Sequence, residues 1–135
     1  MNANPATHWA SIRHLLKHAN AEDTKGNEIY TVYVMDAENQ TPVGKPLVGM
    51  TSDLEWAGNE TLVYITMDEI LRPDEVWLHK LGSDQSSDIC LYHEKDDMFS
   101  LDLQASESKQ YLFVGLESKN KRFIFIWTSL NQKVG

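Results

Sequence analysis

The chain has little cysteine and no long apolar stretch. Cys90 is its single cysteine, so a disulfide within the chain is excluded and a reducing compartment is the simplest expectation. No run of about 18 apolar residues exists that could cross a membrane as a helix. The polar residues 1–7 lack the apolar core of a secretory signal. The sequence therefore predicts a cytoplasmic protein without a membrane partner.

Positive charge is also scarce. Twelve Lys and Arg residues stand against 20 Asp and Glu residues, which gives a net charge of −8. Nucleic acid and anionic lipid would both be repelled, and no basic stripe offsets that repulsion. Nucleic-acid partners are therefore excluded as a class.

What the chain does have is enough apolar material for one core. Hydrophobic residues make up 41% of its 135 residues, with four Trp, five Tyr and four Phe. This composition is not that of a disordered protein, and the length suits at most one ordinary domain.

Short segments recur at a spacing of 47 residues. His8-Trp9-Ala10 recurs as Glu55-Trp56-Ala57, and Ile29-Tyr30-Thr31 recurs as Val76-Trp77-Leu78 and again as Phe123-Ile124-Phe125. A period of this size indicates one supersecondary unit copied in tandem, and the four-stranded blade of a β-propeller is the unit that fits it best.

Turn signals divide most of the chain into segments rich in β-branched and aromatic residues, which predict strands. The predicted strands are Glu28–Met35, Lys45–Met50, Asp53–Ala57, Thr61–Met67, Glu75–Leu81, Asp88–His93, Phe99–Gln104, Gln110–Leu116 and Arg122–Thr128.

The N-terminal segment allows two interpretations. Trp9, Ile12, Leu15, Leu16 and Ala19 could form one face of an amphipathic helix. The repeat instead predicts two strands, at 7–10 and 14–21, and we favour the strands because two independent pairs keep the offset.

The predicted fold class is all-β, with tandem four-stranded antiparallel blades forming a partial β-propeller of about two and three-quarter blades. Residues 1–135 would be one partial propeller domain, with blades at about 7–50 and 53–93 and an incomplete one at about 99–128. Propellers usually close with four to eight blades, so we expect a piece of a longer protein or a smaller assembly.

Residues 21–125 resemble the N-terminal propeller of the prolyl oligopeptidase family, in its oligopeptidase B (protease II) branch. The motifs that carry this resemblance are Leu54-Glu55-Trp56-Ala57, Tyr64-Ile65-Thr66-Met67-Asp68-Glu69, Leu71-Arg72-Pro73, Val76-Trp77-Leu78-His79-Lys80-Leu81-Gly82, Asp88, and the run from Tyr92 to Phe99. The resemblance implies a seven-bladed propeller that caps an α/β-hydrolase domain and restricts it to short peptides.

In that family the catalytic Ser, Asp and His lie in the hydrolase domain, and no Gly-x-Ser-x-Gly turn occurs in these 135 residues. The resemblance therefore implies a substrate-gating or regulatory portion of a serine peptidase that is catalytically silent alone. Its partners would be the hydrolase domain and, through the parent enzyme, peptide substrates. A stand-alone interaction module and a non-functional truncated product are the alternatives.

No catalytic, cofactor-binding or metal-binding residue is predicted. His8, His14 and His18 lack a visible third ligand partner, so we expect packed or solvated side chains. The charged run His93-Glu94-Lys95-Asp96-Asp97 lacks the Asp-x-Asp-x-Asp-Gly pattern of a calcium loop and predicts a solvated connection. A lesser alternative is that its acids line a tunnel or face a partner domain.

For three further features we prefer a structural interpretation to a functional one. Arg72 among Asp68, Glu69, Asp74 and Glu75 predicts exposed ion pairs, with a docking contact to the hydrolase domain as the alternative. Cys90 is expected to pack as a small buried hydrophobe. Tryptophans are expected in the core between blades rather than in a peptide-binding groove; they are Trp9, Trp56, Trp77 and Trp127.

Overall fold

The computed structural model describes residues 8–14, 17–23, 26, 29–58, 60–106 and 111–127. Within these ranges the chain forms strands and one short 3-10 turn, Gln85–Ser87. The strands are β1 His8–His14, β2 Lys17–Asp23, β3 Tyr30–Asp36, β4 Thr41–Pro42, β5 Leu47–Trp56, β6 Thr61–Met67, β7 Pro73–Lys80, β8 Ile89–His93, β9 Ser100–Ala105, β10 Leu112–Glu117 and β11 Arg122–Trp127.

These strands form two sheets with antiparallel pairing throughout. The larger sheet has the order β1-β2-β3-β5-β6-β7-β8, with β4 paired to β3. In the smaller sheet β10 lies between β9 and β11. Every neighbour on these paths is also a neighbour in sequence apart from the short β4, as expected of meandering blades. The predicted all-β partial propeller is confirmed.

Strand β5 corrects one detail of the predicted pattern. The predicted strands Lys45–Met50 and Asp53–Ala57 are joined in one continuous strand, Leu47–Trp56, because the intervening Thr51 and Ser52 include no glycine or proline to break it. Its first half pairs with β3, where Met50 lies opposite Tyr30. Its second half pairs with β6, where Leu54 lies opposite Tyr64, after a register shift between Met50 and Leu54. The strand thus joins two successive units.

The repeat spacing is less regular than the sequence suggests. Strands β2, β6 and β10, each the second of its unit, begin at Lys17, Thr61 and Leu112. The two spacings are therefore 44 and 51 residues rather than a uniform 47. The linking loops differ in length, and surface loops tolerate such differences at little energetic cost.

At the N-terminus the strand interpretation is confirmed over the helical one. Strands β1 and β2 pair from His8 opposite Asp23 to His14 opposite Lys17. At the end of β2, Asp23 Oδ1 accepts a hydrogen bond of 2.7 Å from the backbone N–H of Gly26. Gly26 has φ +73°, a left-handed conformation that glycine adopts without steric cost.

Two apolar clusters lie on opposite faces of the central strands. Because side chains alternate along a strand, Leu62 and Tyr64 of β6 enter the first core cluster, and Val63 and Ile65 enter the second. The first cluster also contains Ala19, Ala21, Val32, Val34, Leu47, Met50 and Leu54. The second also contains Ala57, Val76, Leu101, Leu103, Leu112, Val114 and Leu116. Residues of the smaller sheet thus pack on one face of the larger one.

Within the described ranges no helix has the length and apolar character needed to cross a membrane.

Candidate functional site

The tight turn between β6 and β7 is organised by Asp68. Its Oδ1 accepts backbone hydrogen bonds from Ile70 and Arg72, both at 3.0 Å. These bonds, with that of the Arg72 backbone first, and the nearby guanidinium hold the pKa of the Asp68 carboxyl below its usual range. Leu71 between them has φ +63°, which is rare for a residue with a branched side chain. The turn is therefore held in one conformation by a single carboxylate.

The Arg72 side chain clamps this turn to the connection between β8 and β9. Its Nη1 donates to the backbone carbonyls of Glu94, Asp96 and Phe99 at 3.1, 3.1 and 2.9 Å, and its Nε donates to Asp68 Oδ2 at 3.0 Å. The side chain is 10% exposed. The predicted ion pairs with Asp68 and Asp74 are present, at 3.0 and 3.9 Å, but the prediction that Arg72 is exposed is wrong, because Nη1 reaches the backbone carbonyls of the connection after β8.

The charged run after β8 is only partly solvated. Glu94 is buried, and its two oxygens accept from the Tyr92 hydroxyl at 2.5 Å and from the Asp96 backbone at 2.9 Å. The Glu94 hydrogen bond raises the pKa of Tyr92 to about 12. His93 Nε2 lies 3.2 Å from Asp74 Oδ2. Lys95, Asp96 and Asp97 are exposed as predicted, so the error concerns Glu94 and the packing beneath the run.

A second polar network is buried beside the first core cluster. His79 Nδ1 lies 2.7 Å from Asp88 Oδ1, and the Tyr64 hydroxyl donates to the other oxygen of Asp88. Burial and then this hydrogen bond raise the pKa of Tyr64. The His79 and Asp88 side chains are 5% and 1% exposed. A His–Asp pair can orient a general base, but this one has no access to a substrate, so it fixes packing.

Gln85 extends this network to the neighbouring unit. Its side-chain amide donates to the carbonyl of Val48 and accepts from the Val48 N–H, both at 3.0 Å. The Gln85 amide therefore forms the two hydrogen bonds with β5 that the backbone of a paired strand residue would form. Neither the role of Gln85 nor the pairing of His79 with Asp88 was predictable from the sequence, because no local pattern indicates contacts across nine or more residues.

A cavity of about 500 Å³ opens where β5 changes partner. Its lining residues are Tyr30, Thr51, Ser52, Asp53, Met67, Leu71 and Pro73. Burial, and then the charge of Asp102, raise the pKa of the Asp53 carboxyl. The Asp53 N–H donates to Thr51 Oγ1 at 3.0 Å. The cavity thus combines one desolvated carboxylate with an apolar wall.

The smaller sheet carries an ion cluster on the face away from the second core cluster. Arg122 contacts the two carboxylate oxygens of Asp102 at 3.1 and 3.3 Å and Glu117 Oε1 at 3.1 Å. A Cβ at Gly115 would lie 2.6 Å from Asp102 Oδ1 and 2.8 Å from Arg122 Nη2. Glycine at this position therefore lets the bridge cross β10 closely.

The remaining sequence candidates have mixed outcomes. The side chains of His8, His14 and His18 lie outside the described part of the structure, as do those of Trp9 and Trp127. Among the described residues no group of three His, Cys, Asp or Glu could hold a metal ion. Trp56 and Trp77 pack against the first core cluster, as predicted.

Cys90 is exposed, so the prediction of a buried cysteine is wrong. Its Sγ lies 3.6 Å from the Tyr92 carbonyl. Partial desolvation of the thiol, and then the carboxylate of Glu75, raise the pKa of Cys90. The thiol is therefore a poor nucleophile for an electrostatic reason rather than because of inaccessibility.

Comparison with known proteins gives the same architecture. A family model described as the N-terminal β-propeller domain of prolyl oligopeptidase matches residues 17–133. Protease 2 of Moraxella lacunata is 36% identical over 101 residues, which is 73% of this chain and 15% of that protein. Dipeptidyl aminopeptidase BI of Pseudoxanthomonas mexicana is 28% identical over 102 residues, 74% of this chain and 14% of that protein.

Among solved structures, oligopeptidase B of Leishmania major aligns with a TM-score of 0.85 and 26% identity, over 93% of this chain and 18% of that one. Oligopeptidase B of Trypanosoma brucei, with antipain covalently bound, aligns with a TM-score of 0.74 and 26% identity, over 84% of this chain and 16% of that one. The chain thus spans less than one-fifth of the length of these relatives. It belongs to the prolyl oligopeptidase family, as an oligopeptidase B-like part of the N-terminal β-propeller domain.

Proposed function

We propose that this chain is the substrate-gating portion of an oligopeptidase B-like serine peptidase and has no catalytic activity of its own. The family match over residues 17–133 carries this proposal. In the parent enzyme, acyl transfer would be performed by a Ser-His-Asp set in an α/β-hydrolase domain outside these 135 residues. The role of this segment would be to limit which peptides reach that set.

The polar networks support a rigid gate. Arg72 fixes the connection between β8 and β9, and Gln85 fixes β5 against the loop before β8. Both contacts join segments distant in sequence, and hydrogen bonds between such segments resist local opening. A rigid wall would exclude long or folded substrates by size, while a short peptide passes.

The unit boundaries and the location belong to the same proposal. We place the units at about 7–50, 53–93 and 99–128 in one partial propeller domain of residues 1–135, and we place the protein in the cytoplasm. The side chains of β6 alternate between the two core clusters. This alternation supports the division into units, since the blades of a propeller pack face to face. The exposed free thiol of Cys90 suits a reducing compartment.

The gating role is tested with the protein in its full natural length. Initial rates on a short arginyl peptide and on a peptide of about 40 residues with the same cleavage site are compared for the natural protein and for Arg72→Met. We expect the natural protein to prefer the short peptide, and Arg72→Met to reduce that preference because the wall is loosened. Conservative Arg122→Lys, at an exposed pair, is the control. An unchanged preference in a folded Arg72→Met protein would refute the gating role.

A second candidate function is a protein-interaction module that pairs through a sheet edge. Strand β11 is at the edge of the smaller sheet, and Phe123, Ile124 and Phe125 are about half exposed there. An apolar edge strand can pair with a strand of another chain. A stable complex of the 135-residue chain whose mass exceeds 15.4 kDa, and that is lost on Ile124→Lys, would favour this candidate.

A further inference from the structure

The cavity beside β5 shares one wall with the Arg72 clamp. Successive residues of the turn after β6 face different ways: Leu71 and Pro73 line the cavity, whereas Arg72 between them reaches the carbonyls of the connection after β8. The Asp68 carboxylate accepts a hydrogen bond from the backbone N–H of Arg72, and the backbone carbonyl of Asp68 accepts one from the N–H of Leu71. The apolar wall is therefore fixed by the same hydrogen bonds as the clamp.

The conformation of Leu71 also suggests a use for this wall. A leucine at φ +63° is unfavourable, and such residues persist where the surrounding structure holds them, often beside ligand sites. Its side chain is about half exposed and contributes little to either core cluster. The hydrogen bonds of Asp68 hold this conformation, and the half-exposed side chain of Leu71 remains available to contact a molecule in the cavity.

Another part of the cavity lining is polar and carries negative charge. It consists of Thr51, Ser52 and Asp53, where β5 passes from one partner to the next. The cavity lining contains one carboxylate and no Lys, Arg or His to neutralise it. The neighbouring Asp102 adds negative charge, and its own cationic partner Arg122 contacts Asp102 rather than Asp53. The Asp53 carboxylate accepts a hydrogen bond from the backbone N–H of Leu103. A cation bound in the cavity would therefore meet a hydrogen-bonded carboxylate that has no cationic partner within the lining.

We propose that this cavity binds a small organic ammonium ion with an apolar body. The ammonium group would lie on Asp53 with the Thr51 hydroxyl beside it, and the apolar body would lie against Met67, Leu71 and Pro73. A volume of about 500 Å³ is within the range of small-molecule sites, which are mostly apolar with a few polar groups that set orientation. A metal ion fits poorly because the lining offers a single carboxylate.

The test uses the protein in its full natural length and isothermal titration with two probes, 2-phenylethylamine and its uncharged counterpart 2-phenylethanol. We expect saturable binding of the amine with one site per chain, and affinity for the alcohol at least about tenfold weaker because the charge on Asp53 is unmatched. Equal affinity for the two probes, or no saturation by about 10 mM amine, would overturn the proposal.

Variants locate the site. Asp53→Asn keeps the shape and removes the charge, and it should weaken amine binding at least about tenfold. Asp84→Asn, an exposed carboxylate outside the cavity lining, is the matched control and should leave the affinity unchanged. If the amine bound elsewhere in the protein, Asp53→Asn and Asp84→Asn would have equal affinity for it, and that result also overturns the proposal.

A third variant keeps the test decisive if Asp53→Asn does not fold. Leu71→Asn removes the apolar wall at a half-exposed position, and Asn tolerates the left-handed conformation well. It should weaken binding of the amine several-fold, while the melting temperature stays within a few degrees of the natural protein. Unchanged affinity in this folded variant contradicts the proposed position of the apolar body.

Discussion

Arg72 shows how one side chain can determine the conformation of two segments. Its guanidinium donates to three carbonyls of the connection after β8 and to the carboxylate of Asp68. The planar fork of arginine suits several acceptors at once, whereas the ammonium of lysine is a single point charge. An aliphatic replacement removes this donor from the part-buried carbonyls of Glu94 and Phe99, whereas the Asp96 carbonyl still accepts from the Phe99 N–H. A polar group that loses its partner away from water costs more than a hydrogen bond contributes.

We therefore predict that Arg72→Met lowers the free energy of unfolding by about 3 kcal/mol, since several acceptors lose their donor. Urea denaturation of the full-length protein measures it through the transition of this domain. Arg122→Lys at an exposed pair is the control and should have little effect. Equal effects of the two substitutions would show that the clamp does not stabilise the fold.

Tyr92 gives a prediction at high pH. Its pKa is raised to about 12 in the folded protein by the hydrogen bond to Glu94, whereas an unfolded tyrosine titrates near 10. Its stabilising contribution is therefore complete below about pH 10 and is lost as the pH rises from about 10 to 12. Tyr92→Phe should flatten this alkaline loss of stability, which denaturation at pH 8 to 12 detects. Tyr111→Phe, at an exposed tyrosine, is the control.

At the scale of elements, the turns show where backbone conformation opposes the residue present. The turn between β6 and β7 places a leucine at φ +63°, and its neighbour Ile70 has no such conformation. Glycine adopts positive φ without a clash, whereas glycine at an ordinary φ costs conformational entropy. The two positions therefore form a matched pair within one turn.

We predict opposite effects of glycine at these two exposed positions. Leu71→Gly should raise the free energy of unfolding by about 0.5 to 1 kcal/mol, because it relieves the left-handed strain. Ile70→Gly should lower it by about 0.5 to 1 kcal/mol, because it only adds freedom to the unfolded chain. Thermal denaturation of both variants checks the sign, and a stabilising Ile70→Gly with a destabilising Leu71→Gly would contradict the geometry.

The strands whose formation depends on a local residue pattern were predictable from the sequence. The strands that depend on contacts with distant residues were less predictable. The segment Thr61–Met67 has the predicted bounds, because its apolar residues alternate between the two core clusters. The short strand β4 and the 3-10 turn at 85–87 were missed, because two or three polar residues carry no periodic signal. The continuity of β5 also escaped prediction, since a change of pairing partner leaves no mark in the sequence.

The polar residues of the candidate site illustrate the same limit. Arg72 was found as one charge among acids, yet its burial depends on the connection at 94–99, more than 20 residues away. Cys90 is on an apolar strand as predicted, but β8 is at the edge of its sheet and leaves the thiol exposed. Asp53 carries no motif, and only folding brings it near Asp102. Long-range contacts therefore decided these roles.

At the scale of the whole molecule, the chain is a stack of antiparallel units with apolar faces between them. The two core clusters lie on either side of β6 and β7, while the far face of the smaller sheet carries the ion cluster of Asp102, Glu117 and Arg122. The described residues hold two hydrogen-bonded networks, one around Arg72 and one around His79 and Asp88. This distribution is that of a propeller segment, and the gating of a peptidase domain is the role that we propose for it.

The most direct test is to label the full-length protein with a fluorophosphonate that modifies activated serines, and to identify the modified residue by mass spectrometry. Our account predicts that the labelled serine lies outside residues 1–135, and that the 135-residue chain alone neither takes up label nor cleaves a short arginyl peptide. Label on a serine within residues 1–135, or peptide cleavage by that chain alone, would contradict it.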